Sequence, residues 1–244
     1  LHKEYRRQRQ MCIRDRSYII YIVIIMLIPM WAQHKVKSNY EKYSQVRSTS
    51  GKTGREVAEE ILHANGIYDV DVVKGEGFLT DHYDPNKKVV CLSPANFDRP
   101  SVAGTAIAAH EVGHAIQHQQ GYAFLRFRTA LVPLANIGSS LSYIVIMAGI
   151  FLTALGSAFG STALWIGAGL MSLAVLFSIV TLPVEFDASS RAMKQITALN
   201  IVNEKEYKHA RKVLSAAAMT YVAATATAVA ELVRIILLAR ANDN

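Results

Sequence analysis

The stretch Ala103–Tyr122, AGTAIAAHEVGHAIQHQQGY, carries two histidines four residues apart and a glutamate directly after the first. Small apolar residues surround them, and the flanks AGTAIAA and AIQ contain no charge, which predicts a buried helix. Residues four apart on a helix lie on one face, separated by a rise of roughly 6 Å. His110 and His114 are therefore expected to present their imidazoles together, while Glu111 is rotated by about 100° from His110.

This pattern is suited to a zinc ion. Two imidazoles on one helix face can both reach a zinc at about 2.0–2.1 Å. Zinc lowers the pKa of a bound water towards about 7, and the Glu111 carboxylate can take the proton from that water. The five-residue pattern arises by chance in unrelated chains, but burying these side chains without a metal would leave polar groups unsatisfied. We therefore predict one Zn²⁺ per chain, with Glu111 as the general base.

A catalytic zinc needs a third protein ligand and an open position. His118 stands four residues beyond His114, but the helical rise places it about 12 Å from His110, too far for one ion. His118 is thus expected on the helix face or hydrogen-bonded to a ligand. Glu185 is the better candidate, at the expected start of a new helix, where the macrodipole would also favour an acid without any metal. Asp187 is either a competing ligand or a hydrogen-bond partner of a ligand histidine.

The segment LTDHYDPNKKVVCLSP, residues 79–94, predicts strand and turn rather than a further ligand. An edge strand over Phe78–Tyr83 could pair with an extended substrate backbone. Arg191 is a candidate for stabilising an oxyanion, with an ordinary surface charge as the alternative. The candidate substrate-binding residues are Leu79, Thr80, Asp81, His82 and Tyr83.

The composition indicates a membrane protein. Of 244 residues, 51% are hydrophobic and 18% charged, below the roughly one quarter charged that is usual in globular domains. Four apolar stretches account for the difference, although the first, residues 18–32, is shorter than the about 20 residues that a bilayer span needs. We therefore predict a mainly α-helical integral membrane protein with about four transmembrane helices and a zincin-like α+β catalytic unit that carries the HExxH helix. The predicted parts are a doubtful basic tail (1–17), a transmembrane anchor (18–32), the α+β catalytic unit (33–128), a transmembrane hairpin (129–182), a helical segment with the third zinc ligand (183–212) and a transmembrane helix (213–240).

The polar unit contains clear signals for the start and end of its helices. Thr53 and Glu56 form a capping box, so a helix is expected from there to about Asn65, with Gly66 as its C-terminal stop. The other elements predicted for this unit are strands over Ile67–Val73, Phe78–Tyr83 and Lys88–Leu92 and a helix over Ser101–His118.

The net charge of +7 is unevenly placed. Residues 1–17 hold six Lys or Arg and two acidic residues, a net +4 that leaves +3 for the rest. Their stretch MCIRDRS resembles translated adapter sequence, so this tail is set aside in predicting the fold. A nucleic-acid partner would depend on the tail alone, and none is expected. Cys12 and Cys91 are too few for a disulfide framework or a cysteine-based zinc site.

Basic residues follow the first and the third apolar stretches, and positive flanks stay in the cytoplasm. The site is therefore expected on the cytoplasmic side of the membrane. In the last stretch, Glu231 and Arg234 stand three residues apart. They are interpreted as a mutually satisfied pair or a snorkelling arginine near the helix end, with a small transporter or channel as the alternative. The basic residues are Lys35, Lys37, Lys42 and Arg47 after the first stretch, and Arg191, Lys194, Lys205, Lys208, Arg211 and Lys212 after the third.

Four segments together resemble the bacterial membrane-bound neutral zinc metallopeptidase family, zinc peptidase type 2. The resemblance covers about residues 18–240 and implies that His110, His114 and Glu185 are zinc ligands and Glu111 is the general base. The order of helix, hairpin and downstream glutamate is also distantly similar to membrane peptidases of the heat-shock HtpX and CAAX-prenyl types. There an aspartate stands four residues after the ligand glutamate, where this chain has Ser189. The segments are RSTSGKTGREVAEEILHANGIYDV, LTDHYDPNKKVVCLS, AAHEVGHAIQHQQGYAFLRFRTALVPLANIGS and FSIVTLPVEFDASSRAM.

The expected function is hydrolysis of peptide bonds by a zinc-activated water, in the inner membrane of a bacterial cell. The expected partners are a peptide or protein substrate near the membrane and the lipid bilayer itself, and no oligomeric state is predicted. The alternative is a catalytically silent membrane scaffold or partner-binding protein with a structural metal site. The intact Glu111 argues against it, because a degenerate site would often have lost the base. The size of the polar unit argues against a transporter.

Overall fold

A computed structural model describes residues 2–242, with side chains described for residues 19–242. The predicted basic tail, including Cys12, lies outside the side chains that are described. The described residues form seven α-helices and one three-stranded sheet, which confirms a mainly α-helical fold. The elements are α1 (His2–Ser44), α2 (Gly54–Ala64), β1 (Asp71–Lys74), β2 (His82–Asp84), β3 (Val89–Leu92), α3 (Pro94–Asp98), α4 (Val102–Gln119), α5 (Ala123–Ala154), α6 (Phe159–Ala198) and α7 (Glu204–Asn242).

Four helices in the described part of the chain are long and apolar enough to cross a membrane, as predicted. Their outward faces expose large apolar side chains, among them Ile144, Phe151 and Ile166, which suits contact with lipid. The helix α5 packs along α6, and α7 packs against both α6 and α1. The four candidate spans are Ile19–Ser44, Ala123–Ala154, Phe159–Ala198 and Glu204–Asn242.

The charged pair in the last candidate span is satisfied within the fold. Arg234 Nε donates to Glu231 Oε2 at 2.8 Å, and the Tyr21 hydroxyl of α1 donates to Glu231 Oε1 at 3.3 Å. The prediction of a mutually satisfied pair is therefore confirmed. The cluster joins α7 to α1 and accounts for both charges through local bonding.

The first helix of the polar unit begins and ends as predicted. Thr53 Oγ1 accepts a hydrogen bond from the Glu56 backbone N–H at 3.3 Å, and the Glu56 carboxylate accepts one from the Thr53 N–H at 2.7 Å. The bond from the Thr53 N–H, together with one from the Thr53 hydroxyl to Glu56 Oε2 at 3.0 Å, holds the pKa of the Glu56 carboxyl below its usual value. At the other end, Gly66 has φ +70°, the left-handed conformation that ends many helices.

The small sheet differs from its prediction at two strands. Its order is β1-β3-β2, with β1 parallel and β2 antiparallel to β3, so β2 is an edge strand. The strand predicted over Ile67–Val73 is wrong for its first four residues, because β1 begins only at Asp71. The strand predicted over Phe78–Tyr83 is also wrong for its first four residues, because β2 covers only His82–Asp84. Leu79 has φ +55°, which no extended strand can accommodate.

The helix α4 lies at the centre of the polar unit. Ser101 caps it by accepting a hydrogen bond from the Gly104 N–H at 3.0 Å. Most of its side chains are buried, and it packs against α2, α6 and α7. The buried helix predicted from the uncharged flanks is confirmed.

The helix α6 runs without a break from Phe159 to Ala198, through Pro183. The expectation that a new helix starts at Glu185 is therefore wrong. Proline removes one backbone donor from the helix, but the packing of α6 against α5 and α7 supports a continuous helix. Glu185 consequently projects from the middle of a long helix rather than from a helix N-terminus.

Candidate metal centre

Three potential metal ligands converge where α4 meets α6. His110 Nε2 lies 3.3 Å and His114 Nε2 lies 3.5 Å from Glu185 Oε2. All three ligand atoms lie within 4.8 Å of one another, and their side chains are between 3% and 13% exposed. The structure thus brings together the two histidines of α4 and the glutamate that the sequence places 71 residues beyond His114.

A glycine allows this close approach of the two helices. A Cβ atom added to Gly113 would lie 2.6 Å from the carbonyl oxygen of Ala188, closer than real Cβ atoms approach other atoms. Because Ala188 lies three residues after Glu185 on α6, this backbone contact sets the position of the carboxylate. The absent side chain at Gly113 therefore lets Glu185 reach the two histidines.

The three residues fit a zinc ion. Zinc ligands at about 2.0–2.1 Å in a tetrahedron stand roughly 3.4 Å from one another, close to the spacing of His110 and His114 from Glu185. Glu185 Oε2 is buried and has no hydrogen-bond partner among the residues that the structure describes, although two imidazole nitrogens lie near it. Two histidines and a glutamate are also the ligand set of many zinc hydrolases, with the fourth position open.

The other ring nitrogen of each histidine faces a polar side chain. Nδ1 of His110 lies 3.2 Å from Ser189 Oγ, and Nδ1 of His114 lies 3.1 Å from Gln117 Oε1. These contacts fix the orientation of both rings so that each Nε2 faces Glu185. Ser189, at the place where the distantly similar peptidases have an aspartate, thus contacts a candidate ligand through its hydroxyl.

Gln117 connects the centre to a longer chain of hydrogen bonds. Its fully buried amide Nε2 donates to the Val184 carbonyl and to Asp187 Oδ2, each at 2.8 Å. Asp187 also accepts from Arg191 Nε at 2.5 Å. Among the side chains that the structure describes, Asp187 reaches His114 through Gln117, which corrects the expectation of a direct bond. The sequence holds a signal for Gln117 that was missed, since it lies one helical turn after His114 on the same face.

Two of the predicted supporting residues lie outside the group. Arg191 donates from Nη1 to Gln120 Oε1 at 2.6 Å in addition to its bond with Asp187. His118 places Nδ1 2.9 Å from the Tyr83 hydroxyl, towards the sheet. No described contact of Arg191 or His118 supports an oxyanion or ligand role.

A cleft of about 440 Å³ opens beside the three ligand candidates. Glu111 lines it and is 9% exposed, and this burial raises the pKa of its carboxyl, against the lowering effect of the neighbouring histidines. Arg128 and Tyr221 also line it, and Arg128 Nη1 lies 3.6 Å from Glu185 Oε1. Neither was predicted from the sequence, because only the packing of α5 and α7 brings them to the site.

Only part of the predicted substrate-binding segment, Leu79–Tyr83, borders this cleft. His82 and Tyr83 belong to β2 and line the cleft, whereas Leu79 and Thr80 precede the strand. Asp81 also borders the cleft, but its carboxylate accepts bonds from the Ser93 N–H at 2.7 Å and the Asn96 amide at 3.0 Å. Burial raises the pKa of Tyr83 to about 12, so its hydroxyl stays protonated at neutral pH. The pairing of this edge with a substrate stays a prediction.

We expect Gln117→Leu to weaken zinc binding by about 10- to 100-fold, because His114 would lose the acceptor that orients its ring. Zinc affinity is measured by competition with a chromophoric chelator in detergent. Gln119→Leu, at an exposed position two residues along α4, is the matched control and should bind zinc like the unaltered chain. Equal affinities in both variants would contradict the role given to Gln117.

Comparisons with known proteins agree with this centre. A family model described as "Putative neutral zinc metallopeptidase" matches residues 18–240. The protein named "Putative membrane protease YugP" of Bacillus subtilis (strain 168) is 42% identical over 221 residues, which cover 91% of this chain and 96% of that protein. No solved structure gives a significant match. The family resemblance noted in the sequence is confirmed, and the chain belongs to this zinc metallopeptidase family.

Proposed function

We propose that the protein is a membrane-embedded zinc endopeptidase in which His110, His114 and Glu185 hold one zinc ion and Glu111 is the general base. One observation carries the proposal: three ligand atoms stand at zinc-like spacing, within 4.8 Å of one another, beside a cleft that Glu111 also lines. The name of the Bacillus subtilis relative, a membrane protease, agrees with it.

Zinc bound at this centre would act as a Lewis acid and make hydroxide available at neutral pH. The Glu111 carboxylate accepts the proton of the attacking water and later returns it to the leaving amine. Arg128 and Tyr221 line the cleft on the side of Glu185 and can donate hydrogen bonds to the substrate carbonyl oxygen as negative charge develops. The free edge of β2 holds the substrate backbone.

The same proposal places the site on the cytoplasmic side of the bacterial inner membrane. The α1 and α6 helices both lead from an apolar stretch into basic segments, and positive flanks favour the cytoplasm. Substrates would be peptides or proteins near the membrane surface.

A single substitution tests the function. We expect Glu111→Gln to keep about one zinc per chain while the cleavage of casein or a peptide library falls by roughly 100-fold or more. Zinc content and cleavage are measured on the same detergent-purified samples. Bound zinc with no cleavage by either form would instead support a scaffold with a structural metal site, and equal cleavage by both would exclude Glu111 as the base.

A further inference from the structure

A second and smaller cavity adjoins the cleft at the candidate metal centre. Its volume is about 170 Å³, and it lies between α1, α4, α6 and α7. The same five side chains border both spaces, so the metal centre stands at their junction. The shared residues are Asp81, His110, Glu111, Glu185 and Tyr221.

Apart from these shared residues, the wall of the second cavity is apolar. Its polar members, Tyr40 and Ser189, are already engaged: the Tyr40 hydroxyl donates to Asn96 Oδ1 at 3.1 Å, and Ser189 Oγ lies 3.2 Å from His110 Nδ1. Away from its junction with the cleft, the second cavity would therefore strip a charged or strongly polar occupant of its hydration without offering it a partner. The apolar wall includes Val36, Ile107, Val213, Leu214, Ala217 and Ala218.

The size of the second cavity suits one amino-acid side chain. An apolar cavity of roughly 150 Å³ accommodates a benzene molecule, so about 170 Å³ accommodates the side chain of leucine or phenylalanine. The cleft, at about 440 Å³, has room for several residues of an extended peptide. The cleft can therefore hold a stretch of peptide, whereas the second cavity can hold a single side chain.

The cleft and the second cavity meet at the candidate metal centre, and this position determines which substrate side chain can enter the second cavity. Glu111 and His110 border both spaces, so a peptide bond attacked there lies at the mouth of the second cavity. Each residue of an extended chain advances by about 3.3–3.6 Å, so the side chain at the mouth belongs to the residue that adjoins the scissile bond.

We propose that the second cavity binds the side chain of the substrate residue next to the scissile bond and makes the enzyme selective for large apolar residues there. This inference rests on the proposed peptidase function. Apolar discrimination of this kind is worth about 10- to 200-fold for one methylene-sized difference. Leucine and phenylalanine exceed alanine by several carbons, so their kcat/KM should exceed that of alanine by at least roughly 10- to 200-fold.

The test uses the full chain in detergent and peptides that differ only at that residue, with cleavage sites read by mass spectrometry. Ala217→Leu, which fills the cavity from α7, should reduce cleavage at leucine or phenylalanine by about tenfold or more and spare cleavage at alanine. Ile107→Ala, which enlarges the cavity from α4, should admit tryptophan. Ala224→Leu, on an exposed face of the same helix α7, is the matched control and should keep the original preference.

A binding measurement separates this inference from the proposed function. Fluorescence anisotropy of the same labelled peptides on Glu111→Gln protein should show the leucine-over-alanine preference without any cleavage. If the unaltered protein cleaves no peptide, the proposed function fails. If it cleaves without an apolar preference, or if Ala217→Leu and Ile107→Ala both leave the preference unchanged, only the role of the cavity is overturned.

Discussion

Replacing Gly113 with alanine should lower the zinc affinity of the protein by about 10- to 100-fold, as expected when a contact that positions a metal ligand is disturbed. The added Cβ would lie 2.6 Å from the Ala188 carbonyl oxygen, which is backbone and cannot rotate away. The helices α4 and α6 must then move apart, and Glu185 moves away from His110 and His114. Overpacking of this kind also costs about 1–3 kcal/mol of stability.

A second glycine provides the control for that experiment. Gly169 lies on α6, and a Cβ added there meets no atom within 4 Å. Gly169→Ala should therefore fold well and bind zinc with unchanged affinity, measured by chelator competition alongside Gly113→Ala. If Gly113→Ala folds and binds zinc as tightly as Gly169→Ala, then the contact between α4 and α6 does not set the position of Glu185.

Local patterns in the sequence predicted the parts of the site that depend on one helix. The spacing of His110 and His114 fixes their common face, and the capping box at Thr53 fixes the start of α2, since both follow from helix geometry alone. The close approach at Gly113 could be anticipated only in general terms. The residue of α6 that packs against Gly113 depends on the register of α6 against α4. No local sequence pattern encodes that register.

Two predictions were wrong for the same reason: the start of a new helix at Glu185 and the strand over Phe78–Tyr83. In both cases long-range packing overrode a local sequence signal. Pro183 reads as a helix boundary, yet α6 packs against α5 and α7 and runs through it without a break. The segment Phe78–Tyr83 is expected from the sequence to form a strand, yet the bonds from Ser93 and Asn96 to the Asp81 carboxylate draw it towards α3. Leu79 accordingly adopts a left-handed conformation just before β2.

Glu185→Gln should abolish tight zinc binding, with an affinity loss of more than about a hundredfold. Structural zinc sites gain roughly 10–16 kcal/mol from four ligands together, so one charged ligand contributes several kcal/mol. Glutamine keeps the shape of the side chain, and the melting temperature of the metal-free protein reports whether the fold is retained. Zinc content and chelator competition measure the loss, and His118→Ala, whose ring faces Tyr83, should cause none.

Asp187→Asn decides between the two acidic candidates on α6. Asp187 Oδ2 already accepts hydrogen bonds from Gln117 and Arg191. The buried Glu185 Oε2 has no hydrogen-bond partner in the described part of the chain and faces only the two histidine Nε2 atoms. A metal is the natural partner for such an oxygen, because an unpaired buried carboxylate oxygen is costly. Asp187→Asn should therefore weaken zinc binding far less than Glu185→Gln, through Gln117 alone. The opposite ranking would make Asp187 the third ligand and require α6 to turn about its axis, which the packing of Gly113 on Ala188 opposes.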